Sequence, residues 1–296
     1  MKFPAVMWFR GFLCVGLMLW AIDAQAGPYS VFSPDGSINV GSDSLFTVLT
    51  QNSFNDTNNQ FTGPSIITGN VGIGGKGNYS MSDGTLNGDI YMNSFGTLTV
   101  SGPATITGKK RGKRTDQGED GTDQTSTLAN ALADATSLSS AAAALAPTSN
   151  YAVTQGSFTQ GQSITISNPS SNITINGVMN NPFNNPIVLS INAVNLSNGS
   201  LTLSGNAHTT FVLNITGNFT INNSNIFATG GLLASHILFN LEGTAPTTSF
   251  NMQQGTTATG VFIAPNRNVD LSGGKIFGRL VTNQLTITSG GQVISQ

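Results

Sequence analysis

Residues 211–217 read FVLNITG and residues 237–243 read ILFNLEG, so an apolar triplet, an Asn and a Gly recur at the same places. A second pattern accompanies them. In LTLS (201–204), FTIN (219–222), FNMQ (250–253), VDLS (269–272) and LTIT (285–288) the first and third residues are apolar and the second and fourth polar. That period of two marks strands with one buried face. LTVS (98–101) in the first half fits the same template. VDLSGGKI (269–276) is echoed by TITSGGQV (286–293), and GTLNGDIYMNSFGTLTVSG (84–102) by GKIFGRLVTNQLTITSGG (274–291). Repeats too short to bury an apolar face alone imply stacking into a solenoid, with Gly at the corners.

Alternation assigns the faces. Thr99 and Ser101, Thr202 and Ser204, Thr220 and Asn222, Asn251 and Gln253, Asp270 and Ser272, and Thr286 and Thr288 are expected to point outward. Stacked at about 4.8 Å, such strands would make one flat wall of short polar side chains. The candidate surface-binding face is Thr99, Ser101, Thr202, Ser204, Thr220, Asn222, Asp270, Ser272, Thr286 and Thr288.

FVLNI, ILFNL, VFIAP (261–265) and RLVTN (279–283) are apolar on both parities, which predicts burial on both faces. Val212, Leu238, Phe262 and Val281 are expected on the outer side, under a cover. The cover is a helix over 125–146, where Leu128, Leu132, Ala135, Leu138, Ala142 and Leu145 form one stripe. Ser126 or Thr127 can cap its start, and Pro147 stops it. The Asn of FVLNITG and ILFNLEG is expected to pair between coils or to cap the covered edge. The predicted organisation is mainly β, a discontinuous β-solenoid: coils over 45–108, a flexible charged loop over 109–124, the helix, an irregular segment over 149–186 and further coils over 187–296. NGVMNNPFNNP (176–186) is too rich in Asn and Pro for a core strand.

Charge changes the picture only by its scarcity. Of 296 residues 8% are charged, against about 25% in an average soluble domain, and the formal charge is −2. Nucleic acid is a poor partner for such a surface, because phosphate neutralisation needs many Lys and Arg. Five basic residues of KKRGKRTDQGEDGTDQ (109–124) precede Asp116, Glu119, Asp120 and Asp123. The segment reads as self-neutralising, or alternatively as a basic docking patch for anionic polysaccharide. Lys2, Arg10, the apolar run GFLCVGLMLWAI and Ala24-Gln25-Ala26 read as a signal peptide over 1–26, ahead of one domain over 27–296. Cleavage would leave a formal charge of −3, since Lys2, Arg10 and Asp23 go with the leader, and would remove Cys14, the only cysteine. No later segment is apolar enough to span a bilayer, and secretion, with attachment to a cell surface as a variant, is the expected destination.

Catalytic chemistry has little support. His208 and His236 sit in turn-like contexts, read as surface or coil-end positions without a nearby carboxylate or Cys. DQGEDGTD lacks the closing Glu of a calcium loop. Arg267, Asp270, Lys275 and Arg279 cluster near the last coils and read as structural ion pairs; Asp83 and Asp89 are the acids of the first repeats. No cofactor or metal is expected, and no enzyme, though polysaccharide lyases and hydrolases share the solenoid architecture.

TGNVGI (68–73), GTLNGDIY (84–91) and an Ala/Leu helix ending LAPT (145–148), followed by TTFVLNITGNFTI, ATGGLLASHILFNLEG, TTATGVFIA and GGKIFGRLVTNQLTI, resemble the secreted ice-binding-protein fold and related bacterial surface adhesive domains over most of 45–294. The resemblance implies a roughly triangular right-handed β-solenoid with a helix alongside. It implies a flat outward face binding an extended surface such as a matrix polysaccharide, a cell surface or ice. Thr202, Thr220, Thr286 and Thr288 match the Thr-rich face of ice-binding members, but Asn251, Gln253 and Asp270 interrupt it. Adhesion or matrix binding is therefore the first reading, ice binding the second, and a polysaccharide-active enzyme the third.

Overall fold

The computed structural model describes residues 30–56, 64–177, 186–243, 248–253 and 255–296. The proposed signal peptide and most of NGVMNNPFNNP lie outside the described residues. The rest is a β-solenoid of three walls joined by glycine- and asparagine-rich corners, with one α-helix alongside.

The repeated strings are neighbours in the stack. Phe211–Ile215 pairs in parallel with Ile237–Leu241 so that Phe211 faces Ile237 and Asn214 faces Asn240. The same wall continues through 261–264, 280–282, 48–50, 71–73, 90–92 and 110–111, and ends on the other side at Ile187–Ile191. The stack is discontinuous in sequence. The strand Val48–Asp56 lies between Val71–Ile73 on one side and Lys275–Thr288 on the other, with Val48 opposite both Val71 and Leu280. The first coil is thus inserted between the N-terminal and C-terminal stacks.

Apolar residues inside the tube form one column of core. Phe239 and Phe262 stack with ring centroids 4.4 Å apart, and Phe219 meets Phe250 edge-on at 4.9 Å. Phe262 therefore points inward, contrary to the expectation of an outer position. Its rung partner is Phe239, and Val261 and Ile263 take the outer side. Corners need close backbone approach. At Gly278, with φ +141°, an added Cβ would stand 1.9 Å from the Gly260 carbonyl oxygen on the adjacent coil.

The helix α1 (Thr125–Ala143) covers the doubly apolar wall. At about 1.5 Å per residue its 19 residues extend about 28 Å, or about six strand spacings of 4.8 Å. Leu128, Ala135, Leu138 and Ala142 are buried against Leu49, Val188, Val212, Leu238, Val261, Ile263 and Val281. Leu132 and Leu145 are partly buried at its margin. Gly72 clears space for the helix, since a Cβ there would lie 2.9 Å from the Leu128 side chain. The N-terminal cap differs from the expectation. Neither Ser126 nor Thr127 acts; the Asp123 carboxylate accepts from the Thr125 N–H at 2.9 Å.

The recurring Asn serves both expected purposes. Asn240 Nδ2 donates to the Asn214 Oδ1 (2.9 Å) and to the Ser139 carbonyl (3.0 Å), and Asn214 Nδ2 donates to the Ala142 carbonyl (2.7 Å). The ladder fastens coils to each other and to the last turns of α1. Asn240→Ala is expected to lower stability by about 1–3 kcal/mol, the cost of orphaning buried hydrogen-bonding groups. Chemical denaturation at constant m-value measures it.

A second cover was not anticipated. Residues 30–45 lie over the same wall, burying Val31 and Ile38. The Ile38 N–H donates to the Ser235 carbonyl at 2.8 Å, and the Ser42 N–H to Asp134 of α1 at 2.7 Å. The segment 149–186, expected as irregular, contributes strands Tyr151–Gln155, Ile164–Ile166 and Asn172–Gly177 over its described part. Tyr151–Gln155 pairs antiparallel to Asn172–Gly177 at the far end of the stack.

Residues 109–124, expected as a flexible loop, are folded onto the opposite end. They form Lys110–Arg111, pairing with the coil below, and a 3-10 turn at Thr115–Gln117. Arg111 pairs with Asp89 (2.8 Å) and Asp120 (3.9 Å), Lys113 with Asp123 (2.9 Å) and Arg114 with Asp116 (3.0 Å). The segment neutralises itself, and Gln117 Oε1 accepts from the Leu98 N–H at 2.7 Å on the last coil.

Arg267 forms no ion pair with Asp270 or any other residue among those described; it is fully buried at a corner and donates to backbone carbonyls. Nη1 reaches Gly217 (2.7 Å), Nη2 reaches Ile215 (2.9 Å), and Nη2 also meets the Glu242 carbonyl. Thr282 Oγ1 donates to the Arg267 carbonyl at 2.6 Å. One side chain thus pins the corners of successive coils. Burial lowers the Arg267 pKa to about 10, against the opposing pull of Glu242.

Candidate functional site

With one wall covered, two remain open. The first carries the strand segments 97–100, 78–81, 53–56, 284–288, 268–272, 250–253, 219–222, 194–197 and 164–166 in register. Its nine rungs extend about 38 Å at 4.8 Å per step. Inward residues such as Tyr79, Phe54, Leu285, Val269, Phe250, Phe219 and Val194 are buried. The outward row reads Thr99, Ser80, Asn55, Thr286, Asp270, Asn251, Thr220, Asn195 and Thr165. A second outward row runs through Thr288, Ser272, Gln253, Asn222 and Ser197. Ser101 occupies the corresponding position beyond Thr99.

Eight of the ten expected face residues therefore share this wall: Thr99, Ser101, Thr220, Asn222, Asp270, Ser272, Thr286 and Thr288. Thr202 and Ser204 do not. They lie on the third wall, where Thr202 pairs with Thr174 and Phe227, and Ser204 with Asn176 and Thr229. Alternation separates inside from outside but does not say which of three walls a strand occupies. Ser80, Asn55, Asn195 and Thr165 also stand in the polar row; SFND (53–56), NYSM (78–81) and VNLS (194–197) carried the same alternating signal.

The third wall is a less uniform surface. Phe227 is 44% exposed, and Ile66, Lys275, Phe277 and Ile294 also stand outward among its Thr and Asn residues.

Electrostatically the polar wall is quiet. Asp270 is the charged residue of its outward rows, and partial desolvation pushes its carboxyl above the usual range. Behind the wall, Asp56 occupies an inward position opposite Ile287 and Met81. Burial pushes it up to about 7, against hydrogen bonds from Ser65 Oγ at 2.6 and 2.7 Å, while Asp83 adds to the rise. The corner below the wall holds Asn198 and Asn223 in left-handed conformation, φ +62° and +45°, joined by a 2.7 Å amide hydrogen bond.

His236 takes the coil-end alternative and not the surface one. It is buried in the turn Ala234–His236, its Nδ1 has no partner among the described residues, and burial lowers its pKa. Among the described residues no group of three or more His, Cys, Asp or Glu is placed to hold a metal ion. No helix among them is long and apolar enough to cross a membrane.

A family model described as "Putative Ice-binding-like adhesive domain" matches residues 39–294. Among solved structures, a glycosylated ice-binding protein from an Arctic yeast (LeIBP) superposes with a TM-score of 0.54 at 17% identity, over 87% of this chain and 93% of the other. The ice-binding protein 1 DUF3494 domain of Shewanella frigidimarina gives 0.53 at 16% identity, over 86% and 96%. An ice-binding protein from the Antarctic ascomycete Antarctomyces psychrotrophicus gives 0.50 at 18%, over 86% and 96%. No curated protein sequence matches. At these identities the likeness is one of fold.

Proposed function

The chain belongs to the ice-binding-like adhesive domain family, and from that premise we propose that it is an exported, non-catalytic module that adheres to an extended surface through its open polar wall. The observation that carries this reading is the unbroken register of nine outward short polar side chains from Thr99 to Thr165. A periodic array about 38 Å long matches a ligand that is itself extended and repetitive. Export is supported by the leader-like composition of 1–26.

Adhesion or matrix binding fits the row better than ice. Asn195 stands between Thr220 and Thr165, Asn55 between Ser80 and Thr286, and Asn251 beside the charged Asp270, so amide and carboxylate groups interrupt any repeat of hydroxyl and methyl. Amides instead offer donors and acceptors together. Ice binding remains the second reading because the structural neighbours above are ice-binding proteins.

Surface retention tests the wall. Thr220→Lys and Thr286→Lys are expected to reduce retention on the bound surface at least about tenfold through steric and desolvation penalties. Thr202→Lys, on the neighbouring wall, should leave it unchanged. Equal loss in all three variants would remove the polar wall from the function. Faceted ice crystals on a cold stage at micromolar protein would favour the ice reading over adhesion.

A further inference from the structure

The polar wall is uneven in how its hydrogen-bonding groups are used. Elsewhere on the solenoid, exposed amides pair along the stack: Asn52 with Asn283, Asn283 with Asn268 (2.9 Å), and Asn223 with Asn198 (2.7 Å). Ser272 and Thr288 hydroxyls likewise meet at 3.1 Å. In the middle of the polar wall this stops. The side chains of Asn222, Asn251, Gln253 and Asp270 have no hydrogen-bond partner among the described residues, and Asp270 has no ion pair. They are adjacent by register: Asn251 faces Asp270 in one outward row, and in the other Gln253 faces Ser272 on one side and is followed by Asn222, which faces Ser197. With Asn223 they line an open depression of about 700 Å³.

We propose that this depression is a glycan-binding subsite for a neutral polysaccharide, in which Asp270 accepts hydrogen bonds from a vicinal pair of hydroxyls and Asn222, Asn251 and Gln253 bind the flanking hydroxyls and ring oxygens. This rests on the adhesive reading of the wall and names its ligand class. The chemistry follows from the inventory. A carboxylate accepts only, with two oxygens side by side that suit two neighbouring O–H donors. Each amide supplies both a donor and an acceptor, which is what alternating hydroxyl and ether oxygens require. An anionic glycan would set its charge against Asp270 with no cation on this face to offset it. A cationic ligand would find one negative charge among neutral amides. Partial desolvation of Asp270 is consistent with a site meant to receive hydroxyls rather than bulk water.

Retention of the full chain on beads coated with mannan or dextran (neutral), alginate (anionic) and chitosan (cationic) tests the subsite. Retention by a neutral polysaccharide is expected, independent of salt, with alginate excluded. Asp270→Asn, which keeps the shape and removes the charge, should weaken it about tenfold or more, and Asn251→Ala should weaken it further. Undiminished binding by Asp270→Asn overturns the proposal. So does binding to chitosan alone that vanishes as salt rises, because that marks an ion pair. If Thr286→Lys abolishes retention while Asp270→Asn does not, the subsite fails and the wall stands. If neither changes it, both fail.

Discussion

Replacing Arg267 with Met should lower folding stability by roughly 3–5 kcal/mol, from orphaning three buried carbonyls at about 1–3 kcal/mol each. The guanidinium is fully buried, and its fork holds the carbonyls of Ile215, Gly217 and Glu242. Without it, corner carbonyls on successive coils lose their donor and the alkyl replacement cannot supply one. Arg267→Lys should recover only part of the loss, because a single ammonium cannot reach divergent acceptors as a planar fork does. Urea denaturation at unchanged m-value measures both variants. A wild-type midpoint for Arg267→Met would show that the corners hold without the pin.

Stability should also fall as pH rises from about 4 to about 8. Asp43 is buried in the segment that covers the apolar wall and Asp56 behind the polar wall, and burial lifts them to about 8 and about 7. At Asp43 the Arg279 guanidinium opposes the rise and Asp134 adds to it. Their unfolded values lie near 3.9. Below that pH both states are protonated and the neutral carboxyls cost nothing. Above it the unfolded chain releases protons that the folded chain keeps, so folding loses ground until both native values are passed. At about 1.4 kcal/mol per unit, each of the two acids accounts for several kcal/mol. Asp89, Asp116, Asp120 and Asp123 work in the opposite sense. Their hydrogen bonds hold them below the usual range, so their contribution is lost as pH falls below about 4. A maximum near pH 4–5 follows. Thermal melts across pH 3.5–8.5 check it, and Asp43→Asn with Asp56→Asn should flatten the alkaline limb. A flat profile in the parent chain would contradict the burial argument.

The architecture was legible where a residue pattern has a single physical reading. The echo between 84–102 and 274–291 corresponds to equivalent passages through three walls: Thr85–Asn87 and 275–277 share one wall, and Ile90–Met92 and 280–282 the next. The Asn of FVLNITG was legible because a polar group in an apolar strand needs a partner, and its repeat supplied one. What sequence could not settle was registration around the tube. LTLS and FTIN alternate identically, yet one faces the third wall and the other the polar wall, since only the number of intervening corners distinguishes them. Phe262 was assigned outward by parity within its own string, whereas its position is set by pairing with Phe239. Arg267 looked like half of an ion pair because Asp270 is close in chain; the irregularity between Ala264 and Asn268 turns it inward instead. Residues 30–45 gave no signal, being a short irregular run whose role depends wholly on the surface beneath.

The position of the first coil governs how the molecule can be made. Val48 is made long before Leu280, which completes the other edge of its rung. Until then the strand offers an unpaired backbone to any passing chain, and the two half-stacks cannot close on each other. Productive folding must therefore wait until residues 275–288 have been made. The pairing of Leu280 with Val48 is a contact of long sequence separation, of the kind that slows folding.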